Sequence, residues 1–266
     1  MTRRPPVALA VAALSVLALA GCAQDLPAES AAPSASASAT PTLSGSITVD
    51  AAASLNGTFT ALGTSFKQEH PGVEITFNFG GSSALAAAIV SGSTVDVFAA
   101  ASTKTMQTVS DASLTAADPV VIARNKLEIA VPPGNPGKIT GLKDFADAGR
   151  TIVVCAKEVP CGAAATSVFD IAKITAKPDS YEPDVTSVLT KVEGNDADAG
   201  LVYVTDVQAA GDKVQGIPFD EADQAITDYP IAALKDSKNA ALADAWIAYV
   251  QAHEADLQAA GFLAPQ

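Results

Sequence analysis

Residues 46–66 read SITVDAAASLNGTFTALGTSF, and this stretch decides the fold. Ile47 and Val49, followed by the small residues Ala51, Ala52 and Ala53, suit a strand covered on both faces. Leu55, Phe59, Leu62 and Phe66 then recur at the spacing of one stripe on an amphipathic helix. Ser54 falls at the junction. Its hydroxyl has two possible uses there: it can satisfy an orphan backbone N–H as an N-cap, or it can join the free amides and the positive dipole end of the helix in holding an anion.

The same alternation continues outward. Residues 73–79 suit a strand, followed by Gly80-Gly81-Ser82-Ser83 and a helical run over 84–90. Glycines let a backbone approach a ligand closely, and Ser82 and Ser83 can cap that helix or donate to an anion. A third unit has a buried strand at 95–100 and a helix at 104–109, a pattern that predicts a parallel α/β sheet. An extended run at 118–123 and a strand at 127–131 lead to the turn block PPGNPG at 132–137. Beyond it we expect strands at 151–155 and 199–204, helices at 162–175 and 184–192, and extended chain at 214–219 and 228–233. Leu242, Ala245, Trp246, Tyr249 and Val250 form the apolar stripe of a last long helix, which places Trp246 and Tyr249 in the core.

Two extended crossings, at 119–123 and 220–229, suit a chain that leaves one lobe, builds a second and returns. The expected organisation is α/β with lobe 1 at 46–122 and 224–266 and lobe 2 at 123–223. Each lobe is a mostly parallel sheet flanked by helices, and a ligand cleft between them is lined by strand-to-helix turns.

The front of the 266-residue chain reads differently. Arg3 and Arg4 precede an apolar run over 7–20, too short to span a bilayer and suited to the core of a signal peptide. It ends in Leu19-Ala20-Gly21-Cys22, which resembles a bacterial lipobox. That resemblance implies a signal peptide at 1–21, lipidation of Cys22, and an extracytoplasmic protein held to the cell membrane by acyl chains alone. Residues 22–45 are then the lipidated cysteine and a disordered tether, because their Ala, Ser, Pro and Thr cannot bury enough surface to offset chain entropy.

A formal net charge of −13 argues against nucleic acid as a partner. An anionic ligand would have to be held by local dipoles and hydrogen-bond donors, against the overall field. Cys155 and Cys161 lie in an exported chain, where a disulfide is the default; a redox-active pair is the alternative, although the spacing is not Cys-x-x-Cys. A secreted serine hydrolase using Ser54 or Ser82 would need a general base. The two histidines, His70 and His253, lie near neither serine motif, and no Gly-x-Ser-x-Gly or Ser-x-x-Lys occurs.

Taken together, AAASL at 51–55, FGGSSAL at 79–85, DVFAAAS at 96–102, EVPCG at 158–162 and GLVYVTD at 200–206 resemble the molybdate-binding proteins, the extracytoplasmic substrate-binding components of ABC transporters. The similarity runs from residue 46 to the C-terminus. It implies a monomeric two-lobed periplasmic-binding-protein fold, without catalytic activity or cofactor, that closes on a tetrahedral oxyanion and delivers it to a membrane permease. By motif, the oxyanion donors carry over to the hydroxyls of Ser54, Ser82 and Tyr203 and to the backbone N–H groups of Cys161 and Val185. Molybdate would be held through its oxygens by these same residues.

Two departures stand out: Cys161 replaces a small residue, and Gly80-Gly81 is barer than the usual polar turn. The five motifs bring no Lys, Arg or His to the proposed contacts. Such a donor-only pocket suits a fully deprotonated oxyanion, since a protonated phosphate oxygen would face donors at a cost of about 1–3 kcal/mol. Molybdate and tungstate meet that condition. So does sulfate, which with other oxyanions stands as the alternative ligand, separated from molybdate by pocket size.

Overall fold

Strand β1 (Gly45–Ala52) runs through a single 3-10 turn at Ala53–Leu55 into helix α1 (Asn56–Glu69), so Ser54 sits at the junction that its sequence predicts. The computed structural model describes residues 43–266; the expected signal peptide, Cys22 and the tether as far as residue 42 lie outside them. Next come β2 (Val73–Gly80), α2 (Ser82–Val90), β3 (Val97–Ala99) and α3 (Thr103–Asp111). β4 (Val120–Asn125) and β5 (Leu127–Val131) follow, then β6 (Ile152–Cys155), α4 (Pro160–Ala172), β7 (Ser180–Glu182) and α5 (Val185–Glu193). The chain closes with β8 (Ala199–Tyr203), α6 (Val204–Ala210), β9 (Gln215–Ile217), β10 (Thr227–Ala233), α7 (Ala240–Ala252) and α8 (Glu254–Ala259).

Two five-stranded sheets result, in the orders β2-β1-β3-β10-β4 and β7-β6-β8-β5-β9. Both are mixed, which refines the expectation of mostly parallel sheets. β1 pairs in parallel with β2 and β3, and β6 with β7 and β8, whereas β10 is antiparallel to β3 and β4, and β5 to β8 and β9. The reason is the double crossing. The outgoing β4–β5 segment lies beside the returning β9 and β10, and neighbouring strands that leave and come back must run antiparallel.

The first crossing is at Lys126, later than the 119–123 expected, because β4 stays paired with β10 as far as Asn125. Two further differences concern helices. The segment after β8 forms α6, too short to show a period, and the last helix breaks at His253 into α7 and α8.

Burial follows the apolar stripes. Trp246 on α7 is fully buried, edge-on to Phe59 and Phe66 of α1, each with ring centroids 5.6 Å away. Tyr249 meets Phe66 at 4.9 Å. Such edge-to-face contacts add to area burial and fix how α1 lies against α7. In the second sheet, Ile129, Val153 and Leu201 are buried with Val188 of α5.

A disulfide joins Cys155, the last residue of β6, to Cys161 in the first turn of α4. The next residue must be glycine for steric reasons: a Cβ on Gly162 would lie 1.9 Å from the carbonyl oxygen of Ala156.

Candidate functional site

Six strand-to-helix turns, three from each lobe, converge on one small cavity of about 20 Å³. From the first sheet's lobe come Ser54, Gly81, Ser82 and Ala101; from the second come Val159, Cys161, Asp184, Val185 and Tyr203. All five oxyanion-site residues that the motifs nominate are therefore brought together, although they are spread from position 54 to position 203 of the sequence.

Each contributes a group whose hydrogen-bonding state can be read. Ser82 is the first residue of α2 and is buried; its Oγ accepts from the Ala101 N–H at 3.1 Å, leaving its own proton for the cavity. Tyr203 ends β8 and is only 1% exposed, yet its hydroxyl has no hydrogen-bond partner among the described residues. Burial raises its pKa far above the usual tyrosine range, so it is a phenol and a donor.

Cys161 and Val185 lie in the first turns of α4 and α5, where backbone N–H groups have no intrahelical acceptor. Pro160 begins α4, so the Cys161 N–H is the first that this helix presents. Ser54 is not an N-cap. No side chain caps α1, and Ser54 Oγ instead lies 2.8 Å from the hydroxyl of Tyr229.

The cavity is lined by no Lys, Arg or His. Its one carboxylate, Asp184, is the N-cap of α5 and accepts from the Ser187 N–H at 2.8 Å. Three hydroxyls and two helix starts, all groups able to donate, thus line a common space, an arrangement suited to an anion without a proton. Neither Ser54 nor Ser82 is hydrogen-bonded to a histidine.

The lobes are closed over this space. Ser83 Oγ donates across the cleft to the Glu158 carbonyl at 2.8 Å. It neither caps a helix nor faces the anion space, as its sequence position had allowed; it is a latch. Gly81 lies against the Pro183 carbonyl so tightly that a Cβ there would come within 2.4 Å of the oxygen. The bare Gly80-Gly81 turn is thereby explained as a close approach of two backbones.

A larger groove of about 800 Å³ opens on the other side of Ser54, between α1, α5, α6 and the α7–α8 pair. Its titratable lining is Glu69, Asp206, Asp256, His253 and Tyr249, with no Lys or Arg, so it offers an anion little.

Asp206 was not singled out by the sequence. Its Oδ2 accepts the Tyr203 N–H at 2.8 Å, which ties the end of β8 to α6. Burial, opposed by that hydrogen bond and reinforced by Asp184, pushes its carboxyl from the ordinary 3.8 up to about 7. A raised folded-state pKa means the stabilising contribution of this group is complete below about pH 3.8 and is lost as pH rises through 7. Asp206→Asn should therefore gain melting temperature relative to wild type progressively between pH 4 and 7 and hold the gain above, a difference on the order of a few kcal/mol. Parallel melting curves over that range would contradict this.

Ser82→Ala should show a dual loss. It removes a donor to the anion, costing about 1.5 kcal/mol of affinity, and strands the Ala101 N–H, costing about 1–3 kcal/mol of stability. Calorimetric titration and thermal melting read the two separately.

A two-lobed α/β chain that closes a donor-lined cleft is an extracellular solute receptor in class. The family model for bacterial extracellular solute-binding proteins matches residues 47–263, and the chain belongs to that family. It is 42% identical over 243 residues to the molybdate-binding protein ModA of Mycobacterium tuberculosis H37Rv, covering 91% of this chain and 90% of that one. With the ModA of Escherichia coli K12 it shares 31% over 209 residues, 74% of this chain and 80% of the other. Among solved structures, the periplasmic molybdate-binding protein of Azotobacter vinelandii superposes with a TM-score of 0.70 at 21% identity, over 83% of this chain and all of that one. The sulfate-binding protein SubI of M. tuberculosis superposes at 0.69 with 15% identity, over 82% and 86% of the two chains, a likeness of fold alone. The motif resemblance to molybdate-binding proteins is borne out by these relatives, and the chain is a bacterial extracellular solute-binding protein.

Proposed function

We propose that this protein captures molybdate, with tungstate as a second ligand, and hands it to an ABC permease. The anion is held by the hydroxyls of Ser54, Ser82 and Tyr203 and the N–H groups of Cys161 and Val185, with no cofactor and no metal bound directly to the chain. The observation that carries this reading is the buried Tyr203 hydroxyl without a partner among the described residues, beside a cavity that the Ser54 and Ser82 hydroxyls and the starts of α4 and α5 also line and whose one carboxylate, Asp184, is taken up as a helix cap. An unsatisfied buried hydroxyl is costly unless a ligand completes it. Relatives named for molybdate, over nine-tenths of the chain, support the choice of anion.

The mechanism follows from closure. With the lobes apart, the donors of Ser54 and Ser82 are separated from those of Cys161, Val185 and Tyr203. Closure, latched by Ser83 on Glu158, completes the shell and excludes water, which strengthens each charge-assisted hydrogen bond. Selection between the open and closed states is then made by the anion itself. The disulfide, together with Gly162 packed on Ala156, holds the Cys161 N–H in place. We read no catalytic role: a hydrolase would need a base on Ser54 or Ser82, and their partners are Tyr229 and the Ala101 amide. In this reading the receptor works as a monomer, tethered to the membrane through lipidated Cys22.

Titration calorimetry with molybdate, tungstate, sulfate and phosphate tests the assignment. Molybdate and tungstate should bind most tightly. Tighter sulfate binding would replace molybdate by sulfate as the cargo.

A further inference from the structure

Behind Ser54 lies a buried chain of polar groups that no motif marks. Asn125 and Tyr229 are both 0% exposed. Asn125 Oδ1 accepts the Lys126 N–H at 2.9 Å, which fixes the side-chain amide with its NH₂ turned inward. That NH₂ donates to Thr205 Oγ1 at 2.9 Å and reaches Tyr229 Oη at 3.5 Å. Tyr229 Oη in turn lies 2.8 Å from Ser54 Oγ. The chain links the end of β4, β10 and the β1–α1 junction of one lobe to the start of α6 in the other.

Hydrogen-bond direction along it is constrained. A phenol has one proton. The amide of Asn125 approaches Tyr229 Oη as a donor, so the Tyr229 proton is left to point at Ser54 Oγ. The serine then accepts from Tyr229, and its own proton faces the cavity. In the opposite direction, with Ser54 donating, the Tyr229 proton would have to turn from the 2.8 Å contact toward the Tyr203 hydroxyl, a neighbour that lies outside hydrogen-bond geometry. Ser82 shows the same polarity by a simpler route, its Oγ accepting from the Ala101 amide.

We propose that Tyr229, oriented by Asn125, is a specificity-determining positioning residue that fixes Ser54 as a hydrogen-bond donor toward the cavity and so sets the site against oxyanions that carry a proton. This rests on the reading that Ser54 contacts the anion. A Ser54 released from Tyr229 can rotate to accept, and a protonated oxyanion such as hydrogen phosphate then finds the acceptor it otherwise lacks.

The test is a double-mutant cycle by titration calorimetry at pH 7, with molybdate and inorganic phosphate as probes, on wild type, Tyr229→Phe, Ser54→Ala and the double variant. Tyr229→Phe should weaken molybdate binding about tenfold and narrow the molybdate-to-phosphate ratio by at least that factor. In the Ser54→Ala background, Tyr229→Phe should change molybdate affinity by less than about twofold, because its effect passes through Ser54. An equal loss in both backgrounds, or a ratio that Tyr229→Phe leaves unchanged, overturns the proposal; a purely packing role would give that result. Should Tyr229→Phe not fold, Asn125→Asp keeps the shape and the acceptor for Lys126 but removes the donor to Tyr229, and an unchanged ratio there overturns it equally. If wild type prefers another oxyanion, the molybdate assignment falls by itself and the same cycle is read with the anion that binds. A wild type that binds no oxyanion overturns both.

Discussion

Gly81→Ala is expected to lower oxyanion affinity by about one to two orders of magnitude while leaving the melting temperature of the ligand-free protein unchanged. The φ of Gly81 is −61°, an ordinary value for any residue, so alanine introduces no backbone strain within its own lobe. The clash arises only against the Pro183 carbonyl of the other lobe, 2.4 Å from the added Cβ. Overpacking of this kind costs about 1–3 kcal/mol, and here it is charged to the closed state alone. Affinity falls by the closed fraction that is lost. Gly162→Ala is the internal contrast: its clash with Ala156 lies within one lobe, so it should lower stability with or without ligand. Calorimetry and thermal melting of both variants check the pair. A Gly81→Ala protein with wild-type affinity would mean that closure as described is not required for binding.

Tyr203→Phe should separate binding from stability in the same direction. Its hydroxyl makes no hydrogen bond among the described residues, so removing it takes away a donor to the anion and breaks no internal bond. Affinity should fall by about 2–3 kcal/mol, the scale of a hydrogen bond to a charged group, while the ligand-free protein should hold or gain stability as an unsatisfied buried group disappears. The aromatic packing survives, because the ring of Tyr203, which phenylalanine keeps, meets that of Tyr229 edge-on with centroids 5.9 Å apart. A loss of melting temperature together with unchanged affinity would assign the hydroxyl a structural role.

The sequence carried the site to different depths at different residues. Ser54 and Ser82 were legible because a period-2 run that breaks into a period-3.6 stripe locates a strand-to-helix turn, and such turns gather at the cleft. Cys161, Val185 and Tyr203 were reached through motif resemblance; on their own, a cysteine after a proline and a valine after an aspartate say little. The groups behind the site were not legible. Tyr229 and Ser54 are 175 residues apart, Asn125 and Tyr229 are 104 apart, and Asn125 and Thr205 are 80 apart, and none sits in a pattern that links them.

The same limit applied to the fold. Strand and helix positions followed from periodicity, but strand direction did not, because an antiparallel and a parallel neighbour leave the same alternation in a buried strand. Only the pairing of outgoing β4 with returning β10 decides it. Gly81 is intermediate: the bareness of its turn was visible, whereas the backbone it must admit belongs to Pro183 in the other lobe.

The most direct measurement is a crystal structure of the protein grown with molybdate, with the metal located by its anomalous scattering. One peak should stand in the closed cleft, with its oxygens within hydrogen-bond reach of the Ser54, Ser82 and Tyr203 hydroxyls and the Cys161 and Val185 amides. A peak in the acid-lined groove beside Glu69 and Asp256, or an anion held by lysine or arginine side chains, would contradict the account.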